Sequence, residues 1–224
     1  MTKEEFLPKV TFNSNEERDD ALFYIKVKGL SLHKEIYNYL LKENTDQVIT
    51  WKQISDELRH DKGLRDTLYI YLATLEEYIR AYISNKYEDD VNQPFWISGK
   101  GRNDIKGNIN KEVPLFKVLQ ETDFGTLINQ VNALPMNDIE ELFGEAGTKE
   151  NLVAVKELRN CIGHHKFLKT YKFKECAVDG VESNSLENNI RNLIQLLPER
   201  YRHGKNGGGG IIKNLVNYKV FKSM

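Results

Sequence analysis

Apolar residues recur along this chain at intervals of three and four, the period of helices that bury one face. Ser14-Asn15-Glu16-Glu17 has the form of a capping box and opens a helix carrying Ala21, Leu22 and Ile25. Ser31 is read as the cap of a second helix with Leu32, Ile36 and Leu40. Thr50-Trp51-Lys52-Gln53, another capping box, begins a third with Trp51, Ile54 and Leu58 on one side. The strongest pattern spans roughly Leu64 to Tyr87, where Leu64, Leu68, Leu72, Leu75, Ile79 and Tyr82 form a nearly unbroken stripe. From about Asp89 to Lys111 the chain reads as a polar loop, and helical spacing resumes at Pro114, a residue suited to a first turn. Leu115, Val118 and Leu119 follow, then Leu127, Ile128, Val131 and Leu134 up to Pro135.

Further helices are expected over about Asn137 to Phe143, Thr148 to His165 and Leu186 to Leu197. Between the last two, Asp179-Gly180 is a hairpin dipeptide flanked by Ala177-Val178 and Val181. Gly207 to Gly210 forms a flexible joint leading to a C-terminal arm, about 204–224. The expectation is an all-α bundle in one domain over 1–224, with extra helices at each end and a small β-hairpin after the 148–165 helix.

Composition narrows the function. Lys and Arg number 32 against 33 Asp and Glu, too balanced for a protein that coats nucleic acid with its whole surface. An enzyme with one small basic cleft fits that balance. Two cysteines, Cys161 and Cys176, argue for a reducing, cytoplasmic setting without a disulfide framework. The start Met1-Thr2-Lys3-Glu4-Glu5 lacks the pattern of a signal peptide, and no apolar run of about 18 residues suggests a membrane span. No metal-ligand spacing is present, so no metal or cofactor is expected.

The segment Arg159-Asn160-Cys161-Ile162-Gly163-His164 carries the candidate chemistry. If residues 152–168 form one helix, Leu158, Cys161, Ile162, His165 and Leu168 share an inward stripe, while Asn160 and His164 share another face. Arg159 then lies about 100° from Asn160, close enough to reach the His164 ring. On this periodicity His164 is the working histidine and His165 a supporting one. Histidine moves protons near neutral pH, and the Arg fork matches phosphate oxygens. Attack of an RNA 2′-hydroxyl on its adjacent phosphate needs a proton taken, a proton given and charge stabilised. One His and one Arg supply half of that, and two copies across a dimer supply the rest.

These residues resemble the Arg-polar-x-x-x-His motif of HEPN ribonucleases, and more narrowly the RNxxAHH signature of Abi-like proteins of bacterial abortive infection. Asp123-Phe124-Gly125-Thr126-Leu127, Leu142-Phe143-Gly144 and Leu158-Arg159-Asn160 follow that family's order. Leu75-Glu76-Glu77-Tyr78-Ile79-Arg80 is similar to its long-helix pattern of an acidic residue shortly before an Arg. The resemblance covers roughly 15–170. It implies a HEPN-like fold, motif helices paired across a homodimer and metal-independent cleavage leaving a 2′,3′-cyclic phosphate, with Arg159 and His164 catalytic and Asn160 their polar neighbour. It also implies phage defence by a toxin-like effector, restrained by a regulatory RNA or an antitoxin partner. Gly163 stands where that signature has Ala, and Lys166-Phe167-Leu168-Lys169 replaces its usual Arg-Leu-Trp-Asn. The alternative is a non-catalytic HEPN module that binds RNA or a partner.

Other candidates are weaker. Lys100 and Arg102, in Gly99-Lys100-Gly101-Arg102, read either as RNA contacts or as part of a solvated loop. Glu77 and Arg80 read as a helical ion pair, or as groups that orient Arg159 or His164. Tyr69, Tyr71, Tyr78, Tyr82 and Tyr87 suit the core margin better than base stacking. His33, His60 and His203 have no evident partners in sequence.

Overall fold

A computed structural model describes residues 2–43, 48–87, 115–204 and 210–218. Mostly helical, these residues form two compact units. One comprises the described residues up to 66 and 164–171, the other those of 67–163 and from 172 onward. Sequence predicts one domain with an N-terminal extension; the contacts place residues 164–171 with the N-terminal segment. The polar stretch around Lys100 and Arg102, with Pro114, lies outside the described residues.

In the first unit, α1 (Lys3–Phe6) leads through a 3₁₀ turn to β1 (Val10–Thr11), which pairs in parallel with β2 (Ile49–Thr50). Between them stand α2 (Asn15–Lys28) and α3 (Leu30–Glu43). The Ser14 hydroxyl caps α2 by accepting the Glu17 amide at 3.2 Å. α3 begins one residue before the predicted Ser31 cap because Gly29, at φ 88°, turns the chain between the helices. Phe6, Ile25, Ile36, Tyr37, Ile49, Trp51 and Ile54 form the core, which Phe167 completes. Fully buried His33 stacks on Trp51, centroids 5.4 Å apart, and its Nδ1–H donates to the Gly29 carbonyl at 2.8 Å.

The two helices expected around Leu58 and Leu64 are one: α4 runs Trp51–Tyr87. The Thr50–Gln53 capping box forms as predicted, with Thr50 N donating to Gln53 Oε1 at 2.8 Å and Gln53 N to Thr50 Oγ1 at 3.3 Å. Gly63 sits inside the helix, where a single glycine is tolerated at about 1 kcal/mol.

From residue 67, α4 belongs to the second unit and buries Leu68, Leu72, Leu75, Ile79 and Ile83. α5 (Leu115–Gln120), α6 (Phe124–Val131) and α7 (Met136–Phe143) follow, then α8 (Lys149–Gly163). β3 (Cys176–Val178) and β4 (Val181–Ser183) make the predicted hairpin. Asp179 and Gly180, at φ 51° and 76°, supply the two positive angles of a type I′ turn. α9 (Leu186–Leu196), α10 (Glu199–His203) and α11 (Ile211–Leu215) complete the unit. Of the C-terminal arm, Ile211 and Leu215 are buried and Asn214 Nδ2 donates to the Tyr71 hydroxyl at 2.6 Å.

Buried asparagines fix α8. Asn151 Nδ2 donates to the Ala146 and Ala177 carbonyls, both at 3.1 Å, and its Oδ1 accepts the Ala177 amide at 2.9 Å. Asn192 of α9 donates to the Asn151 carbonyl at 2.8 Å. Through its side chain and its carbonyl, Asn151 thus ties the first turn of α8 to the Ala146 turn, to β3 and to α9, where an unpaired amide would be costly.

Candidate active-site segment

The last turns of α8 bury Leu158, Cys161 and Ile162 and leave Arg159 and Asn160 half-buried. The inward stripe of the sequence reading is therefore correct as far as Ile162. Beyond it the reading fails, because α8 ends at Gly163 and His164 and His165 lie past its end. His165 adopts φ 54°, a left-handed conformation commonly taken by glycine just after a helix. That turn diverts the chain, so His165 is exposed and not on the core stripe, and Asn160 and His164 do not share a helical face. The periodic division of labour between the two histidines loses its basis.

Gly163 lies beside the Arg159 side chain. A Cβ added there would stand 3.5 Å from Arg159 Nη1, so the guanidinium lies back along the helix toward its C-terminal end. A cation is favoured there by the helix dipole. Gly125, in the Phe124-Gly125-Thr126-Leu127 segment, packs α6 on α8: a Cβ at that position would stand 3.7 Å from Lys156 Cδ. Asp123 caps α6, accepting the Thr126 amide and hydroxyl, each at 3.0 Å. No hydrogen bond or ion pair engages the side chains of Arg159 or Asn160 among the described residues.

In the first unit, exposed His164 likewise has no side-chain partner among the described residues. His165 does have one: Arg65 Nη1 donates to its Nδ1 at 3.1 Å. Arg65 Nε in turn donates to Asp61 Oδ2 at 2.8 Å, and Asp61 Oδ1 accepts the Leu168 amide at 2.9 Å. Asp61 and Arg65 are both buried. Burial pushes the Asp61 carboxyl above its ordinary range, opposed by the Leu168 amide and Arg65. Phe167 sits edge-on to Tyr39 in the core, while the Lys166 ammonium lies 4.9 Å from the Tyr171 ring centroid. Sequence reading missed Asp61 and Arg65. Their spacing of four on a helix signals a pair, but nothing local links them to a histidine one hundred residues later.

The expected Glu77–Arg80 pair does not form. Arg80 Nη2 instead bonds the Glu76 carboxylate, four residues back, and donates to the Thr122 carbonyl at 2.6 Å, leaving Glu77 exposed. The pair of residues (i, i+4) wins over (i, i+3) because Glu76 lies on the side where Arg80 also meets Thr122. Tyr71 and Tyr87 are buried and Tyr78 donates to the Leu142 carbonyl at 3.1 Å, as the core-margin reading holds; Tyr69 is exposed. No group of three or more His, Cys, Asp or Glu side chains is placed to hold a metal ion, and no helix is long and apolar enough to cross a membrane, among the described residues.

Chemically, the segment offers a guanidinium and an amide at the end of α8, then one unpartnered imidazole and one held by Arg65. Each has its own chemistry: a guanidinium binds an anionic group, and an imidazole moves a proton. Compared with protein-family models, with curated proteins and with solved structures, the chain matches none.

Proposed function

We propose that this chain is a HEPN-type, metal-independent endoribonuclease of bacterial phage defence. The observation that supports the reading most is the lack of any internal partner, among the described residues, for Arg159, Asn160 and His164. Half-buried Arg159 and Asn160 and exposed His164 are thus left to meet a ligand. Their types and order match what RNA cleavage by its own 2′-hydroxyl requires.

In this reaction the 2′-oxygen attacks the adjacent phosphorus and loses its proton to a base. The bond from phosphorus to the 5′-oxygen breaks, and that oxygen takes up a proton. A 2′,3′-cyclic phosphate and a 5′-hydroxyl result, with no net redox change and no water consumed. His164 serves as the proton-transfer group. Arg159 neutralises charge on the phosphorane, and Asn160 holds a phosphate oxygen. A second copy of the chain in a homodimer supplies the second histidine. Activity is restrained in the cell by a regulatory RNA or an antitoxin protein.

The test is cleavage of total cellular RNA by purified protein, with product ends mapped by sequencing. His164→Ala and Arg159→Ala are each expected to lower the rate at least about 100-fold, the scale of lost acid–base or electrostatic catalysis. EDTA should leave cleavage intact, and fragments should end in a cyclic phosphate. Undiminished cleavage by His164→Ala would refute the mechanism. Binding of RNA without cleavage by the wild type would favour a non-catalytic HEPN module instead.

A further inference from the structure

We infer that Asp61 and Arg65 are positioning residues that hold His165 as a fixed Nε2–H donor for a phosphate oxygen of the RNA backbone, an inference that rests on the ribonuclease reading above. An arginine side chain has only donors. With Arg65 Nη1 at 3.1 Å from His165 Nδ1, the ring must offer its lone pair there, which places its proton on Nε2. Among the described residues nothing else bonds that ring, and the residue is exposed, so Nε2–H is left for a ligand.

The support is built in depth. Arg65 is 8% exposed and Asp61 2%. One oxygen of Asp61 takes Arg65 Nε at 2.8 Å; the other takes the amide of Leu168, three residues beyond His165. A single carboxylate thus orients both the guanidinium and the backbone on which the ring is mounted. Burial of Phe167 between them ties the same short segment to the core. His165 keeps a left-handed φ of 54°, which histidine, like asparagine and aspartate, adopts more readily than most side chains.

The consequence is a division of roles based on hydrogen bonding. His165 has no free lone pair to accept the 2′-hydroxyl proton, so it binds phosphate and leaves proton transfer to His164, whose nitrogens are unpartnered among the described residues. The neighbouring Lys166 ammonium adds positive charge on the same exposed stretch.

Glutamine distinguishes a donor from a proton shuttle. In His165→Gln the amide oxygen can accept from Arg65 while the amide nitrogen donates outward, but no proton can be transferred. His165→Phe should lower kcat/KM on the order of 10- to 100-fold, as loss of an oriented partner does, and His165→Gln should recover most of that loss. Equal losses in both variants would overturn the donor role. Imidazole ¹⁵N spectra, with His165 assigned from the Gln variant, should show the Nε2–H tautomer in the wild type and a mixture of tautomers in Arg65→Gln. An Nδ1–H tautomer in the wild type, or an unchanged spectrum in Arg65→Gln, would also overturn it. Where Arg65→Gln fails to fold, the double variant Asp61→Asn/Arg65→Gln, which leaves no buried charge, replaces it with the same two outcomes. If the wild type cleaves no RNA, the ribonuclease reading fails, while the wild-type spectrum still decides whether Arg65 holds the ring.

Discussion

Two histidines of the first unit, His165 and His33, show how burial and hydrogen bonding set what a ring can do. His165 is exposed and tied through Nδ1 to a cation; His33 is fully buried, gives its Nδ1 proton to the Gly29 carbonyl and leaves Nε2 without a partner among the described residues. Burial holds His33 below the ordinary histidine value of 6.5, with the Gly29 bond working weakly the other way. Because the folded ring resists the proton that the unfolded ring accepts, its contribution to stability is present above about pH 6.5 and is lost as pH falls from there toward the folded value. The urea midpoint reported by Trp51 fluorescence, in a Trp96→Phe background, should therefore drop between pH 7.5 and pH 5.5 (roughly one unit either side of the free value). His33→Phe, which keeps an aromatic ring against Trp51, should show a shallower drop. An equally steep drop in the variant would mean that other groups, not His33, carry the pH dependence.

At the scale of elements, the features set by local chemistry were legible. The Thr50–Gln53 capping box, the Asp179-Gly180 turn and the buried stripe of α4 from Leu64 to Ile79 form where their residues predict, while Ile83 and not Tyr82 continues the stripe. The end of α8 was not legible, because Leu158, Cys161, Ile162, His165 and Leu168 keep helical spacing through a point where the backbone leaves the helix. Apolar period reports which residues are buried, and Leu168 is buried, but in the first unit and not along α8. Likewise the Arg65–His165 bond closes over one hundred residues, a separation at which side-chain spacing carries no information. Nothing in the backbone requires the glycine at 163, where the Abi-like signature has Ala. It is helical, and a Cβ would make ordinary contact with Arg159 Nη1 at 3.5 Å. Gly163→Ala should therefore raise stability by up to about 0.5–1 kcal/mol, by restricting the unfolded chain, and should preserve cleavage. A fall in the urea midpoint, or loss of activity, would show that the guanidinium needs the space that Gly163 leaves.

For the molecule as a whole, the balance of 32 basic and 33 acidic side chains leaves little long-range field to collect RNA. Recognition by the proposed enzyme then depends on short-range groups, and the chemistry must be complete where the phosphate docks. Each chain contributes one Arg159 and one His164, whereas cleavage needs a base, an acid and a charge stabiliser. In the proposed ribonuclease a symmetric dimer would solve this by presenting two copies of the motif to one phosphate. The arrangement predicts interference. A dimer of one wild-type chain and one Arg159→Ala/His164→Ala chain would hold one Arg159 and one His164, a set that lacks the second proton-transfer group. Refolding the wild type with a large excess of the double variant should thus lower cleavage well below what the same amount of wild type gives alone, because most wild-type chains are then in mixed dimers. Sedimentation under the same conditions would establish that mixed dimers form. Cleavage that stays proportional to the amount of wild-type chain, or a wild-type chain that keeps its full specific activity at dilutions where it sediments as a monomer, would mean that one chain carries the whole site.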